Sequence, residues 1–147
     1  GVDLSMNATR QDQLDLIEPS SPGEPPVVNP ELGEMRRPEW ASQFGVGLSY
    51  GPYSLSWSGV YYDEMTLGYE DGGEIETIEQ NYGGAGVADA RLIQDIRGAW
   101  QASDALTVYG GVSNLTNRQP YVSEFGYPVS PRGAYFFMGV TYNGAAR

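Results

Sequence analysis

The chain has 147 residues with 8 basic and 19 acidic side chains, which gives a net charge of −11 at pH 7. It has no cysteine and no histidine, and this excludes disulfides, a thiol nucleophile, a Cys/His zinc site and a histidine base. The acidic balance argues against a nucleic-acid partner, because affinity for phosphate comes from basic side chains.

Glycine and tyrosine are abundant, with 20 and 11 residues, while only 18% of residues are charged. This composition is typical of a sheet protein with many tight turns. No stretch approaches the ~20 consecutive apolar residues of a membrane helix, and the mean hydropathy is −0.39. A low mean hydropathy is equally expected of transmembrane strands, because their apolar and polar residues alternate.

Apolar and polar residues alternate with a period of two in six segments, and this pattern predicts six β-strands. In chain order the predicted strands are 2–8, 43–50, 53–62, 91–100, 105–115 and 134–142. The alternation is weakest in 91–100, where Gln94 interrupts the apolar face. Arg91, Asp95 and Arg97 share the opposite face of that strand.

One face of the predicted strands is apolar, and the other carries small polar residues or charge. The residues expected to contact lipid are Leu48, Leu55, Trp57, Val108, Phe136, Met138 and Val140. Aromatic residues gather at strand ends, at Trp40, Tyr50, Tyr53, Tyr61, Tyr62, Trp100 and Tyr142. Such aromatic ends resemble the interfacial girdles of membrane barrels.

The connections between the predicted strands alternate in length. Two are short, at 51–52 and 101–104, whereas 17–39, 63–90 and 116–133 are long and leave one end of an up-and-down meander. Short turns at one end and long loops at the other are typical of outer-membrane barrels. We therefore predict an all-β fold, an antiparallel up-and-down transmembrane β-barrel segment. The alternatives are a soluble antiparallel β-sandwich that binds carbohydrate, or a small outer-membrane barrel or porin.

The last third of the sequence resembles the C-terminus of TonB-dependent outer-membrane receptors. The similar segments are VSNLTNRQPY at 112–121, YPVSPRG at 127–133 and YFFMGVTY at 135–142. Earlier in the chain, RPEW at 37–40 and YYD at 61–63 are similar to the entry and exit of preceding barrel strands in that family. Each of these motifs is short, and the resemblance is specific because they occur in the same order as in the family.

The resemblance implies a 22-stranded barrel closed around a plug, with residues 1–147 as the C-terminal part of the barrel and the plug absent. It implies a place in the bacterial outer membrane and uptake of a scarce nutrient such as a siderophore, cobalamin or glycan. The implied partners are outer-membrane lipid, the remaining barrel and plug, the TonB complex and an extracellular small-molecule ligand. Six strands cannot close alone, because bacterial barrels start at eight.

No residue is predicted to be catalytic, to bind a metal or to hold a cofactor. Nineteen carboxylates leave an enzyme such as a glycosidase as an alternative, but nothing fixes a pair at the required ~5–9.5 Å. An acidic stretch between 63 and 79 lacks the ligand order of a calcium loop, so a solvated loop is favoured over a weak calcium site. The ligand-binding candidates, chosen only by their location in the long loops, are Tyr69, Tyr82, Arg118, Tyr121, Phe125 and Tyr127.

Asn114 is predicted to cap the end of a strand. It lies where the strand over 105–115 passes into a long connection. Asparagine tolerates turn conformations and bonds to its own backbone, so this role is favoured over a glycan at the Asn114-Leu-Thr116 sequon.

Overall fold

The computed structural model describes residues 1–66, 80–121 and 132–144, and these contain ten β-strands. They are β1 Val2–Arg10, β2 Asp15–Glu18, β3 Val27–Pro30, β4 Trp40–Tyr50, β5 Tyr53–Tyr62, β6 Met65–Thr66, β7 Val87–Ala88, β8 Arg91–Gln101, β9 Leu106–Ser113 and β10 Tyr135–Tyr142. A short 3-10 helix covers Gly83–Ala85. In this part of the chain, no helix is long and apolar enough to cross a membrane.

Six strands form one antiparallel sheet in the order β1-β4-β5-β8-β9-β10. We call it the main sheet. Its neighbours follow one another along the chain once the short strands inside the connections are set aside, so the sheet is an up-and-down meander. The six predicted strands and the all-β antiparallel fold class are confirmed.

Two of the long connections contain strands that the sequence pattern did not predict. β2 pairs with β3 within the first connection, and β6 pairs with β7 within the second. These strands have four and two residues each. So few positions cannot display a period of two, which explains why alternation missed them.

The register of the main sheet gathers the apolar side chains on one side, which we call the apolar face. Directly opposed residues of an antiparallel pair share a face. One row of opposed residues crosses all six strands: Leu4, Val46, Trp57, Ile96, Val112 and Phe136. The next row contains Leu48, Leu55 and Met138, and the one after it contains Val108 and Val140. The seven residues predicted to share one face therefore do so.

The other side, which we call the polar face, is built mainly from small residues and a few charges. Its central rows contain Gly45, Gly47, Ser56 and Ser58, and its charged residues include Asp3, Asp95 and Arg97. On β9 and β10 this face also carries three aromatic residues, Tyr109, Tyr135 and Phe137.

No hydrophobic core lies against the main sheet in the described residues. The buried apolar side chains there are Met65 and Ala88, both 0% exposed and both in the second long connection. On the apolar face, by contrast, Phe136 and Met138 are each 83% exposed. A β-sandwich would cover this face with a second sheet about 10 Å away, and the small β2–β3 and β6–β7 pairs are too short to do so. The described architecture is therefore a single-layered wall.

The polar residue that interrupts the apolar face, Gln94, has a partner on that face. Trp57 Nε1 donates a hydrogen bond to Gln94 Oε1 at 3.2 Å. The Phe44 ring lies against Trp57, with centroids 4.9 Å apart, and also covers Gly59, where any Cβ would collide with the ring. The hydrogen bond from Trp57 satisfies the Gln94 amide oxygen. This lowers the free-energy cost of placing an amide on an apolar surface.

We expect arginine substitutions to distinguish the two faces. If the apolar face contacts lipid, Val46→Arg, near the middle of β4, should lower the free energy of unfolding by about 2–4 kcal/mol near the bilayer midplane, because a charge there loses its hydration. Ser56→Arg, on the polar face of the neighbouring strand β5, is the matched control and should cost clearly less. Urea unfolding of the vesicle-embedded protein measures both. Equal losses would indicate a protein core on both sides.

Candidate functional site

The three long connections leave the same end of the main sheet, opposite the short turns. We call them loop A (11–39), loop B (63–90) and loop C (114–134). The sequence-predicted ligand candidates all lie in loops B and C. The loops are therefore the candidate site, and their mutual contacts decide its shape.

Loop A packs on loop B through the backbone of β6. Thr66 N donates to Gly33 O at 2.9 Å, and Met35 N donates to Thr66 O at 2.7 Å. Met65 and Ala88, the buried apolar side chains of the described chain, face each other in the β6–β7 pair of loop B. Strand β6 thus carries both the backbone contact with loop A and half of this small buried pair.

Arg37 holds the turn of loop A that makes this contact. Its Nη1 atom lies 3.0 Å from Glu31 Oε2 and 3.1 Å from Glu34 Oε2. The two carboxylate side chains are only 17% and 18% exposed, so solvent screens these ion pairs less than fully exposed ones. Arg37 therefore binds two carboxylates near the A–B contact and offsets one of their two negative charges.

Loop B contacts loop C through Tyr121. Its hydroxyl donates to Asp89 O at 3.0 Å, and the Arg91 guanidinium lies over its ring, 3.8 Å from the centroid. Arg91 also donates to Gln119 O. Burial raises the pKa of the Tyr121 phenol above its usual value and outweighs the opposing effect of Arg91. The phenol is therefore a neutral donor at pH 7.

Asn114 closes the base of loop C, as the sequence predicted for a strand-end cap. It adopts a left-handed backbone with φ of 52°. Its Oδ1 accepts from Arg118 N at 2.8 Å, and its Nδ2 donates to Arg118 O at 2.8 Å and to Arg132 O at 3.3 Å. One buried side chain thus joins the two ends of the stretch 118–132.

Further hydrogen bonds fix the same base to the sheet. Asn117 Oδ1 accepts from Ala134 N at 2.9 Å, next to the start of β10. Asp95 on β8 accepts from Ser113 Oγ at 2.7 Å and from Asn114 N at 2.8 Å. Loop C therefore starts and ends on a rigid, hydrogen-bonded platform.

Three of the six predicted ligand residues lie in the described part of the chain. Tyr82 is exposed just before the 3-10 helix of loop B, and Tyr121 is engaged by Arg91 and Asp89. Arg118 is held by its backbone at the Asn114 cap. Tyr69, Phe125 and Tyr127 lie outside the described residues. A ligand role for any of the six stays a prediction.

Sequence reasoning missed Arg91 and Asp89 as members of this site. From the sequence, Arg91 is assigned only to the polar face of its strand, and Asp89 has no assigned role. Nothing in the local sequence indicates that either residue contacts Tyr121. In the described residues, no group of three or more acidic side chains could hold a metal ion. Most of the acidic stretch considered for calcium, 67–79, lies outside them.

We expect Asn114→Ala to destabilise the base of loop C. The substitution removes three side-chain hydrogen bonds at a site only 6% exposed and forces alanine into a left-handed backbone. Together these effects should lower the free energy of unfolding by about 2–4 kcal/mol. Limited proteolysis within loop C and urea unfolding measure the loss. Thr116→Ala, an exposed change two residues away, is the control. Similar losses for both variants would show that the cap has no special role.

The main sheet is similar to part of a solved β-barrel receptor. A crystal structure of a mutant ferric enterobactin receptor from Pseudomonas aeruginosa matches with a TM-score of 0.61 and 16% sequence identity. The match covers 97% of this chain and 20% of that chain, so this chain spans about a fifth of that receptor's length. No family model matches the sequence, and no curated protein matches it. At this identity the likeness shows the fold: an antiparallel β-meander like a stretch of that receptor's barrel.

Proposed function

We propose that the chain is part of a TonB-dependent outer-membrane transporter, with residues 1–147 forming the C-terminal part of its barrel. The observation that carries this proposal is the single-layered wall, with one continuous apolar face and one face of small polar residues. The fold likeness to a receptor and the ordered motifs in 37–142 support it independently.

The dimensions of the wall suit a lipid bilayer. β4 has 11 residues, which at about 3.3 Å each and a tilt of ~45° rise roughly 26 Å. The apolar band of outer-membrane barrels is about 25 Å tall. Aromatic residues mark both ends of this strand at Trp40 and Tyr50, and Tyr50 lies in one row with Tyr53 and Trp100. Such rows suit the interfacial belts of a membrane protein.

The edges of the wall support further strands of the same receptor as partners. β1 and β10 each pair on one side only within the described residues. In lipid, unpaired backbone groups are too costly to persist. We therefore expect the remaining barrel to pair with both edges and the plug to lie against the polar face.

The loops carry the proposed ligand contacts, and their charge bears on the ligand class. The acidic residues of the described parts of loops A to C are Asp12, Asp15, Glu18, Glu24, Glu31, Glu34, Glu39, Asp63, Glu64 and Asp89, against Arg36, Arg37, Arg118 and Arg132. An acidic entrance raises the local concentration of cations and lowers that of anions. Among scarce nutrients such as siderophores, cobalamin or glycans, this field favours neutral and cationic ligands.

Uptake by the full-length receptor tests the proposal. A receptor deletion should abolish uptake of at least one of four labelled probes: cobalamin, a neutral iron tris-hydroxamate, its ammonium-bearing cationic analogue and an anionic iron tris-catecholate. The same uptake should cease in cells that lack TonB. Receptor-dependent uptake that continues without TonB would instead indicate a porin. Preference for the anionic chelate would contradict the electrostatic argument.

Cysteine labelling tests the sidedness of the wall. The chain has no cysteine, so single substitutions report one position each. We expect Glu24→Cys in loop A to react on intact cells with an impermeant maleimide. Ser103→Cys in the β8–β9 turn should react only after the outer membrane is opened. The reverse pattern would invert the topology, and labelling of both on intact cells would contradict a membrane-spanning wall.

A further inference from the structure

Within loop A, strands β2 and β3 form a two-stranded hairpin, which we call the loop A hairpin (15–30). Its turn is held by Ser20, whose Oγ lies 2.6 Å from Pro25 O. At its base, Glu31 N donates a hydrogen bond to Leu14 O at 2.7 Å. Hydrogen bonds at both ends thus define the hairpin, and no strand of the described residues pairs with its outer edges.

The apolar side chains of the loop A hairpin are open to solvent. Ile17 and Val28 are directly opposed and share one face, where they are 64% and 53% exposed. Leu16 and Val27 lie together on the other face and are also exposed. An isolated two-stranded sheet is only marginally stable in water. A further strand would stabilise the hairpin and cover part of this apolar surface.

The two outer edges of the hairpin differ in their capacity to accept another strand. β3 follows Pro25 and Pro26 and ends on Pro30, and proline has no N–H to donate to a neighbouring strand. β2 contains no proline. In the described part of the chain it pairs with β3 on one side only. The free edge of β2 is therefore the edge that can accept a strand.

The free edge of β2 is acidic at both ends, because Asp15 begins the strand and Glu18 ends it. The sequence from 11 to 35 has no basic residue, and its acidic residues are Asp12, Asp15, Glu18, Glu24, Glu31 and Glu34. Arg10 and Arg37 pair with three of these acids. Among the described residues, no arginine pairs with Asp15, Glu18 or Glu24. The hairpin therefore carries a field of one sign, which attracts cations.

We propose that the free edge of β2 docks a cationic, extended segment of another protein, which adds to the loop A hairpin as a third strand. Main-chain hydrogen bonds supply the affinity, as in other cases of strand addition. Basic side chains three residues apart on the added strand lie near Asp15 and Glu18, and apolar side chains between them cover Leu16 and Ile17. Docking at this edge involves no transport and stands apart from the proposed function.

The charges of the hairpin disfavour other occupants of this edge. In either direction of pairing, β2 of a second copy would set Asp15 and Glu18 against acids, and opposed like charges destabilise a sheet. The rest of the loop sequence offers no cationic strand, because 67–79 is acidic and 122–131 has no basic residue. An anionic lipid surface attracts basic rather than acidic segments. The partner is therefore a separate, basic polypeptide.

Titration of a labelled peptide tests this docking. The probe is a synthetic hexapeptide with arginine at its second and fifth positions and valine at the others. Fluorescence anisotropy with the purified full-length protein in a neutral detergent should show saturable binding. Binding should weaken between about 0.1 and 1 M salt, because the Debye length falls from ~10 Å to ~3 Å. The same peptide with glutamate in place of arginine should not bind. Absence of saturable binding by the arginine peptide would overturn the proposal.

Charge reversal locates the docking edge. Glu18→Lys on β2 should weaken binding of the arginine peptide by about tenfold, because like charges at a contact repel. Glu24→Lys, in the exposed turn of the same hairpin, makes the same change in net charge and is the matched control. Its effect should be clearly smaller. Equal losses in the two variants would show a general attraction to an acidic surface, which contradicts docking at β2.

Backbone methylation tests the addition of a strand. Methyl groups on alternate peptide nitrogens remove the main-chain donors from one edge of the probe and leave its charges unchanged. One of the two alternating patterns should abolish binding and the other should preserve it, because only one edge of an added strand faces β2. Unchanged binding with both patterns would exclude a third strand. A dimer that forms without peptide and is lost in Glu18→Lys would identify a second copy as the occupant and refute the proposal.

Discussion

The register between neighbouring antiparallel strands is the constraint on which the rest of this structure depends. Because side chains alternate along a strand, a slip of one residue would exchange the two faces of that strand. The β4–β5 turn helps to set this register, since Gly51 adopts a φ of 56° and brings Tyr50 opposite Tyr53. Positive φ at the first turn residue suits a two-residue hairpin. Across the main sheet, the same register aligns one row of apolar residues from Leu4 on β1 to Phe136 on β10. The six alternating segments therefore form two continuous faces.

A wall with two faces and no core depends on its surroundings for stability. In a globular domain the hydrophobic effect is satisfied inside the chain, whereas the described apolar face leaves Phe136 and Met138 open. In the proposed receptor, lipid would cover that face and supply what a second layer supplies in a sandwich. The proposed membrane location therefore meets a physical requirement of this single-layered sheet.

The end of the main sheet that carries loops A to C is stabilised by contacts within the chain itself. There the chain buries its own residues, with Met65 and Ala88 paired inside loop B. Backbone hydrogen bonds join loop A to loop B, and polar contacts join loop B to loop C through Tyr121. Asn114 fixes both ends of loop C on the edge of the sheet. A rigid wall with mutually braced loops suits ligand recognition, because binding then orders fewer residues at the time of contact.

Alternation along the sequence determined the six main strands and their apolar and polar sides, because a period of two is a property of each segment alone. The lengths of the connections between these strands then determined which end of the sheet has short turns and which has long loops. Asn114 was also predicted as a strand-end cap from its residue type and its place at a strand exit. Only the tertiary structure decided the Trp57–Gln94 bond and the Arg91–Tyr121 contact. The two members of each pair lie far apart in the chain, and they meet only through the pairing of β5 with β8 and the packing of loop C. Local periodicity indicates the face on which a residue lies but not the residue opposite it on the next strand. The two-residue strands β6 and β7 are too short to show a period at all.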